Sequence, residues 1–240
     1  TPLYSSAASD VYKRQPYWLW YNFSSTHRQT GNEGKTMNKI TVTIGEYPQN
    51  CGLKKEPIEW IVLKEEDSRC LCISKYLLDC KQYHTIAGKI IWHDCTLRNW
   101  LNNEFLMSAF SPEERERILL TDVINPVKNT QDYIFLLNID EVEKYFDDYT
   151  EDYVAYEERG AVTTTYARSQ GAWFYDEKDE YENKGCWWLR YLGKDYEKAE
   201  GKYDYISCVN FDAYIERAAQ GVEEMCGIRP AFWLRRNRTA

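Results

Sequence analysis

The chain has 240 residues, of which 43% are hydrophobic and 15% aromatic, a composition too apolar for a disordered chain and sufficient for a sizeable core. Its formal net charge of -8 would repel phosphate backbones and anionic lipids, so neither nucleic acid nor a membrane is an expected partner. No run of 18 apolar residues occurs, and a membrane-spanning helix is not expected.

The cysteines predict reduced thiols in a core rather than a disulfide framework. There are eight of them, and a chain of this length does not need disulfides to be stable. No C-x-x-C pair occurs, which argues against a zinc ribbon or a thioredoxin-like site.

Residues 1–36 differ in composition from the rest, with a Ser/Ala/Thr-rich start and a short aromatic patch from Tyr17 to Phe23. The string SSAASDVYKRQ, from Ser5 to Gln15, resembles a translated sequencing-adapter scar found at the ends of unrelated proteins from metagenomes. We therefore predict a non-native or disordered leader over residues 1–36 and a single domain over residues 37–240, starting at Met37. Without a secretion signal after Met37, a cytoplasmic location is expected.

The first half of this domain predicts strands followed by helices. Lys39 to Tyr47 alternates in the manner of a half-buried strand, and two apolar runs, Glu59 to Leu63 and Cys70 to Ser74, flank a charged turn that predicts a hairpin. A helix capped by Asp94 or Thr96 is then predicted, because its apolar residues recur at three- and four-residue spacing: Leu97, Trp100, Leu101 and Phe105.

A capping box at Ser111, Pro112 and Glu114 predicts a short second helix. Further strands are predicted over Thr121 to Ile124 and Tyr133 to Leu137, then a helix from Asn138 to Phe146. Two charged segments, Asp147 to Glu158 and Asp176 to Lys184, are expected to be solvated loops.

The last third predicts strands again, over Cys186 to Tyr191, Tyr205 to Phe211, Tyr214 to Arg217 and Gly227 to Leu234. Strands at both ends with helices between them indicate an α+β, β-rich single domain. We expect the first and last strands to lie side by side in one sheet.

Several short blocks, in a fixed order, together resemble bacterial domain-of-unknown-function family 6273. They include Pro57 to Leu63, Leu97 to Asn102, Phe135 to Leu137, Thr165 to Ala167, Trp187 to Arg190 and Gly227 to Ala231. The structural residues of these blocks are Trp60, Trp187, Trp188, Arg190, Gly227, Arg229 and Pro230.

The closing pair, W-W-L-R followed by G-I-R-P-A, is also similar to the end of the formylglycine-generating branch of the C-type lectin fold. This resemblance implies a lectin-like mixed or antiparallel sheet with short helices. It also implies a ligand surface on the segment from about Tyr191 to Cys226. The family usually has a serine and a proline soon after W-W-L-R, whereas Tyr191, Leu192 and Gly193 follow here.

Aromatic side chains are the candidate ligand contacts, because such rings bind sugar faces and peptide chains well. Trp92 and the run Trp173 to Tyr175 lie in polar, glycine-containing stretches that favour exposure, and the alternative is that they cover the ends of the sheet. The full candidate set is Trp92, Trp173, Tyr175, Tyr191, Tyr203, Tyr205 and Tyr214.

Metal and cofactor sites have weak support. Zinc accepts thiolate and imidazole ligands, and such groups occur at Cys80, His84, His93 and Cys95, but ordinary loop histidines and core cysteines are the favoured interpretation. Asp176, Asp179 and Glu180 lack the spacing of a calcium-binding EF-hand loop. No cofactor is expected.

Arg190 and Arg229 are interpreted as cations paired inside the fold rather than as an anion site. No G-x-S-x-G, P-loop or G-x-G-x-x-G motif occurs. The leading hypothesis is a monomeric, non-catalytic module that binds a small molecule, glycan or protein. The alternatives are an enzyme related to the formylglycine-generating branch and a structural domain of a phage or mobile element. Cys208 and Cys226 lie in the third of the chain where that branch has its cysteine pair, but their spacing does not match the pair.

Overall fold

The computed structural model of the protein describes residues 40–50, 54–146, 158–191 and 205–236. All of them lie in one unit of the chain, Thr36–Ala240. The predicted leader lies outside the described residues, and its boundary with the domain stays a prediction.

Strands and short helices alternate along the described chain. The strands are β1 (Thr41–Pro48), β2 (Lys55–Glu65), β3 (Arg69–Ser74), β4 (Asp79–Gln82), β5 (Thr121–Val123), β6 (Thr130–Asp132), β7 (Ala161–Val162), β8 (Lys184–Gly185), β9 (Trp187–Trp188), β10 (Tyr205–Val209), β11 (Ile215–Gly221), β12 (Met225–Ile228) and β13 (Ala231–Arg235). The helices are α1 (Thr96–Trp100), α2 (Leu106–Ala109), α3 (Pro112–Arg115), α4 (Ile139–Phe146) and α5 (Thr165–Ser169). A 3-10 turn, Trp92–Asp94, precedes α1, and a π turn, Leu101–Phe105, joins α1 to α2.

The first sheet contains both the first and the last strand, in the order β1-β2-β3-β13 with every pair antiparallel. The predicted β2–β3 hairpin is confirmed, with Ile61 opposite Ile73. The expectation that the first and last strands lie side by side is wrong. The hairpin lies between them because β2 and β3 pair locally, so β13 adds to the remaining edge of β3.

Strand β1 departs from the predicted alternation after Ile44. A bulge lies between Thr43 and Glu46, and Gly45 within it has a φ of 75°. Ile40, expected on the buried face of the strand, precedes β1 and is 57% exposed.

The second sheet has the order β11-β10-β9-β12-β4. It is mixed, because β9 and β12 run parallel with Trp187 beside Gly227, while the other pairs are antiparallel. A Cβ at Gly227 would lie 2.5 Å from the carbonyl oxygen of Cys186, so only glycine allows this close approach. The W-W-L-R and G-I-R-P-A blocks therefore meet in the middle of one sheet.

Of the two predicted helix caps, the one of α3 is confirmed and the one of α1 is wrong. The capping box of α3 is confirmed, since the Ser111 hydroxyl accepts from the Glu114 amide and the Glu114 carboxylate accepts from the Ser111 amide. Neither Asp94 nor Thr96 caps α1. The Cys95 sulfur instead accepts from the Arg98 amide at 3.3 Å, and Thr96 is the first residue of the helix.

The predicted strand from Tyr133 to Leu137 is also wrong. Strand β6 ends at Asp132 and pairs with β5. Tyr133 is 38% exposed, and Ile134 to Leu137 are buried without entering a strand. Of these residues only Phe135 makes a bridge to the sheet, opposite Ala231. Burial alone had produced the strand-like pattern.

The described chain is an α+β, β-rich domain with antiparallel and mixed sheets and short helices, as predicted from the order of the elements. Its core holds the three indoles of Trp60, Trp187 and Trp188, each with no exposed surface. The predicted charged loop over Asp147 to Glu158 lies outside the described residues except for its last member. The loop from Asp176 to Lys184 runs along the surface.

Candidate functional site

Four aromatic rings meet at the surface around Phe211. The Tyr175 ring stacks on Phe211 with centroids 4.8 Å apart and planes 5° apart. The ring of Trp173 lies 5.4 Å from Phe211 at an angle of 57°, and that of Tyr181 lies 5.8 Å away, edge to face. All four side chains are partly exposed. We call Trp173, Tyr175, Tyr181 and Phe211 the aromatic cluster.

Two turns bring these rings together. Tyr175 and Asn183 are joined by a backbone hydrogen bond of 2.8 Å, and Asn183 has a φ of 67°, which folds the charged loop back on itself. Phe211 lies in the turn after β10, where the Ala213 amide donates to the Asn210 carbonyl at 3.0 Å. Tyr175, Tyr181 and Phe211 therefore lie in two segments closed by backbone hydrogen bonds, and ring contacts with Phe211 join these segments and Trp173.

Carboxylates border the cluster. The Tyr175 hydroxyl lies 2.9 Å from a Glu177 oxygen and 3.1 Å from an Asp179 oxygen, and these hydrogen bonds, with burial, raise the pKa of Tyr175. The segment 173–184 holds five acidic residues and two lysines, which leaves a formal charge of -3. The acidic residues are Asp176, Glu177, Asp179, Glu180 and Glu182.

The remaining candidate tyrosines lie apart from the cluster or at its margin. Tyr214 follows Phe211 by three residues and is 58% exposed, and Tyr205 at the start of β10 is 43% exposed. The Tyr191 hydroxyl accepts from the Asn138 amide group at 2.9 Å, which ties that ring to the fold. Tyr203 lies outside the described residues.

The prediction that Trp92 is an exposed ligand contact is wrong. The sequence favours its exposure, but it is 2% exposed, because its indole N–H donates at 2.8 Å to the carboxylate of Asp132 inside the fold. Trp92 is thus a core residue, and it also lines an apolar cleft. The cleft is lined by Tyr83, Ile90, Ile91, Trp92, Asn125, Pro126, Val127, Lys128, Tyr191 and Ile206.

Arg190 is held inside the fold by oxygen atoms. Its guanidinium donates to the Asn125 side chain at 2.9 Å and makes a two-pronged contact with the Glu141 carboxylate at 3.1 and 3.2 Å. The carbonyl oxygen of Leu136 accepts a further bond. The N–H donors of this guanidinium are therefore all bonded within the fold, and none is available to a ligand.

Arg229 is buried in the same way but pairs with carbonyl groups. It donates to Ser74 at 3.0 Å and to Arg159 at 2.9 Å, and two longer bonds reach Glu158. Burial lowers the pKa of Arg229 to about 9, which still leaves it a cation at neutral pH. Its guanidinium also lies over two rings, 5.1 Å from the centre of Trp187 and 5.4 Å from that of Phe146.

The other motif residues are core residues too. The indole N–H groups of Trp60, Trp187 and Trp188 donate to the carbonyl oxygens of Ile44, Arg159 and Lys81. Pro230 is buried at the corner between β12 and β13. These residues hold the two sheets and offer no surface to a ligand.

The residues proposed as zinc ligands do not form a common site. The sulfur of Cys95 caps α1, the His84 ring accepts from the Thr96 amide at 3.2 Å, and His93 pairs with Asp94. Cys80 lies in the core beside Ala167 and Ala172. Within residues 40–50, 54–146, 158–191 and 205–236, no three His, Cys, Asp or Glu side chains are grouped as metal ligands.

Cys208 and Cys226, the thiols of the enzyme hypothesis, are 1% and 3% exposed. Burial raises the pKa of both thiols well above the usual range. The Cys208 and Cys186 sulfurs share one acceptor, the side-chain oxygen of Asn210, at 3.6 and 3.4 Å. A thiol that is buried and protonated is a poor nucleophile, so neither is placed for chemistry on a substrate.

Sequence reasoning missed the middle of the cluster. Phe211 was placed at the end of a strand, and Tyr181 in a loop expected only to be solvated. A ring between Asn210 and the turn residue Asp212 was the available signal, because a bulky side chain in a tight turn is seldom fully buried.

The described residues form an α+β domain with a buried core and a partly exposed aromatic cluster. A family model described as "Domain of unknown function (DUF6273)" matches residues 67–236, and the chain belongs to that family. No curated protein and no solved structure gives a significant match. Of the helices in the described part of the chain, none is long and apolar enough to cross a membrane.

Proposed function

We propose that the protein is a bacterial, non-catalytic ligand-binding or interaction module that contacts its ligand through the aromatic cluster. The observation that carries the proposal is the packing of three partly exposed rings, those of Trp173, Tyr175 and Tyr181, around the partly exposed ring of Phe211. Rings that are already packed against one another lose little conformational entropy on binding, which suits them to contact a small molecule, glycan or protein.

The contrast with the other large rings supports this role. Trp60, Trp187 and Trp188 are fully buried with their indole donors satisfied, so the core has its aromatic residues without the cluster. The cluster rings instead keep part of their surface open beside carboxylates. Partly exposed aromatic groups with a polar border are typical of recognition surfaces.

The lectin-like architecture is part of the proposal. It is supported by the shared sheet of the first and last strands and by the adjacency of Trp187 and Gly227, which joins the two closing sequence blocks. The cluster residue Phe211 falls in the segment that presents the ligand in lectin-like folds. We take the protein to act as a cytoplasmic monomer, which size-exclusion chromatography with light scattering would check.

A thermal-shift screen against oligosaccharides, peptides and metal salts tests the function. A ligand at about one hundred times its Kd stabilises the folded state by about 2.7 kcal/mol, which raises Tm by roughly 5 to 10 °C for a domain of this size. The rise should be absent in Phe211→Leu, which keeps an apolar side chain but removes the ring.

The matched control is Tyr133→Leu, which removes an exposed ring away from the cluster. It should respond to the ligand like the unaltered chain. If no class of probe raises Tm, or if Phe211→Leu responds fully, the proposal is wrong.

A further inference from the structure

The carboxylates that border the aromatic cluster favour a positively charged ligand. Two of its bordering carboxylates, Glu177 and Asp179, are held against the Tyr175 hydroxyl at 2.9 and 3.1 Å. A third, on Asp212, lies in the same turn as Phe211 and accepts from the Tyr214 amide at 3.1 Å. Their positions are fixed by hydrogen bonds, so the negative charge stays beside the rings.

Cations already bind rings in this part of the fold. The Arg168 guanidinium lies 4.0 Å from the centre of the Phe174 ring, and the Lys184 ammonium lies 5.4 Å from that of Tyr181. Both contacts are within the range of a cation–π interaction. Phe174 lies between two cluster residues in sequence and Tyr181 belongs to the cluster, so rings of this region accept a positive group.

We infer that the ligand of the aromatic cluster is a basic peptide segment, bearing lysine or arginine, of a partner protein. This inference rests on the proposed function. A basic side chain gains both from the π face of a ring and from the bordering carboxylates, whereas a neutral glycan gains nothing from the net charge. An acidic partner would be repelled by the -3 of segment 173–184.

The test is isothermal titration calorimetry of the full chain with three probes of similar length. The first peptide alternates lysine and tyrosine, the second alternates glutamate and tyrosine, and the third probe is a neutral oligosaccharide. We expect measurable binding of the first alone. Its Kd should weaken about tenfold when NaCl rises from about 50 mM to about 500 mM, because salt screens exposed charges.

Charge variants give the matched comparison. Glu177→Gln combined with Asp179→Asn should weaken the lysine peptide about tenfold, since two bordering charges are lost while the tyrosine keeps polar partners. Glu104→Gln removes an exposed carboxylate of the π turn, away from the cluster, and should leave the Kd unchanged. Circular dichroism confirms that each variant is folded.

The outcomes separate this inference from the proposed function. If the glutamate peptide or the oligosaccharide binds as tightly as the lysine peptide, and Phe211→Leu removes that binding, the proposed binding function is kept. The inference of a basic ligand is then wrong. If the lysine peptide binds equally to Phe211→Leu, the cluster is not its site, and both conclusions are wrong. Binding of no probe at all would also overturn both.

Discussion

Arg190 and Arg229 bring two cations into the interior, and oxygen atoms of the fold surround each one. Arg190 joins the β9 segment to α4 through Glu141, and Arg229 joins the end of β12 to Ser74 at the end of β3. The charged residues of the closing sequence blocks therefore connect elements that are distant in the chain. Their chemistry is structural.

Replacing Arg190 by methionine should lower the free energy of unfolding by about 3 kcal/mol, because the Glu141 carboxylate and buried carbonyl oxygens lose their donor. Urea denaturation measures the change. Arg235→Met, at an exposed position of β13, should change stability by no more than about 0.5 kcal/mol. Equal effects of the two substitutions would contradict the interior role of Arg190.

The buried thiols make a second prediction at this scale. Burial raises the pKa of Cys80, Cys95 and Cys186 to about 12, so at pH 8 only about one in ten thousand is the reactive thiolate. Iodoacetamide followed by mass spectrometry should label these residues only after denaturation. Rapid labelling of any of them in the folded protein would contradict their burial.

Among the elements, those fixed by local chemistry were predictable. The β2–β3 hairpin follows from two apolar runs around a charged turn, and α3 follows from the Ser111 capping box. The start of α1 was not, because a cysteine sulfur seldom caps a helix and the neighbours Asp94 and Thr96 are better formers of caps. Nor was the π turn, which nothing in the spacing of the apolar residues of α1 indicates.

Long-range packing decided the rest. The run from Tyr133 to Leu137 has the apolar character of a strand, yet its backbone makes a single bridge to β13, at Phe135. In the same way, Trp173 and Tyr175 were predictable as surface rings, but their meeting with Phe211 was not. That contact joins two turns about thirty-five residues apart in sequence, which no local pattern encodes.

The bulge of β1 gives a prediction at this scale. At Gly45, a Cβ would lie 2.7 Å from the Ala109 carbonyl oxygen and the Phe110 ring, in addition to the strain of its positive φ. Gly45→Ala should therefore cost more than about 2 kcal/mol of stability. Gly88 also has a positive φ, but no atom lies within 4 Å of its Cβ position. Gly88→Ala should lower the free energy of unfolding by only about 1 kcal/mol. Urea denaturation of the two variants therefore separates the effect of the steric clash from that of the backbone strain.

On the scale of the whole molecule, the family match starts later in the chain than the folded domain does. The match begins at residue 67, whereas β1 and β2 precede it and form half of the first sheet. Strand β2 contributes Ile58 and Trp60, both fully buried against that sheet. The matched region without these strands would expose the edge of β3 and part of the core.

A fragment of residues 67–236 should therefore fail to fold cooperatively, while a fragment of residues 40–236 should unfold in one transition. Loss of two strands removes the burial of Ile58 and Trp60, each worth about 2 to 3 kcal/mol, besides the edge hydrogen bonds. Thermal unfolding followed by near-ultraviolet circular dichroism compares the two. A sharp transition in the shorter fragment would contradict the shared sheet.

The most direct test of the aromatic cluster as a contact surface is a nuclear magnetic resonance titration of the tryptophan indole N–H signals with the lysine–tyrosine peptide. The Trp173 signal is assigned by its absence from Trp173→Phe. We predict that this signal shifts progressively, while those of the buried Trp60, Trp187 and Trp188 stay in place. A stationary Trp173 signal at saturating peptide, or shifts confined to the core indoles, would contradict the account.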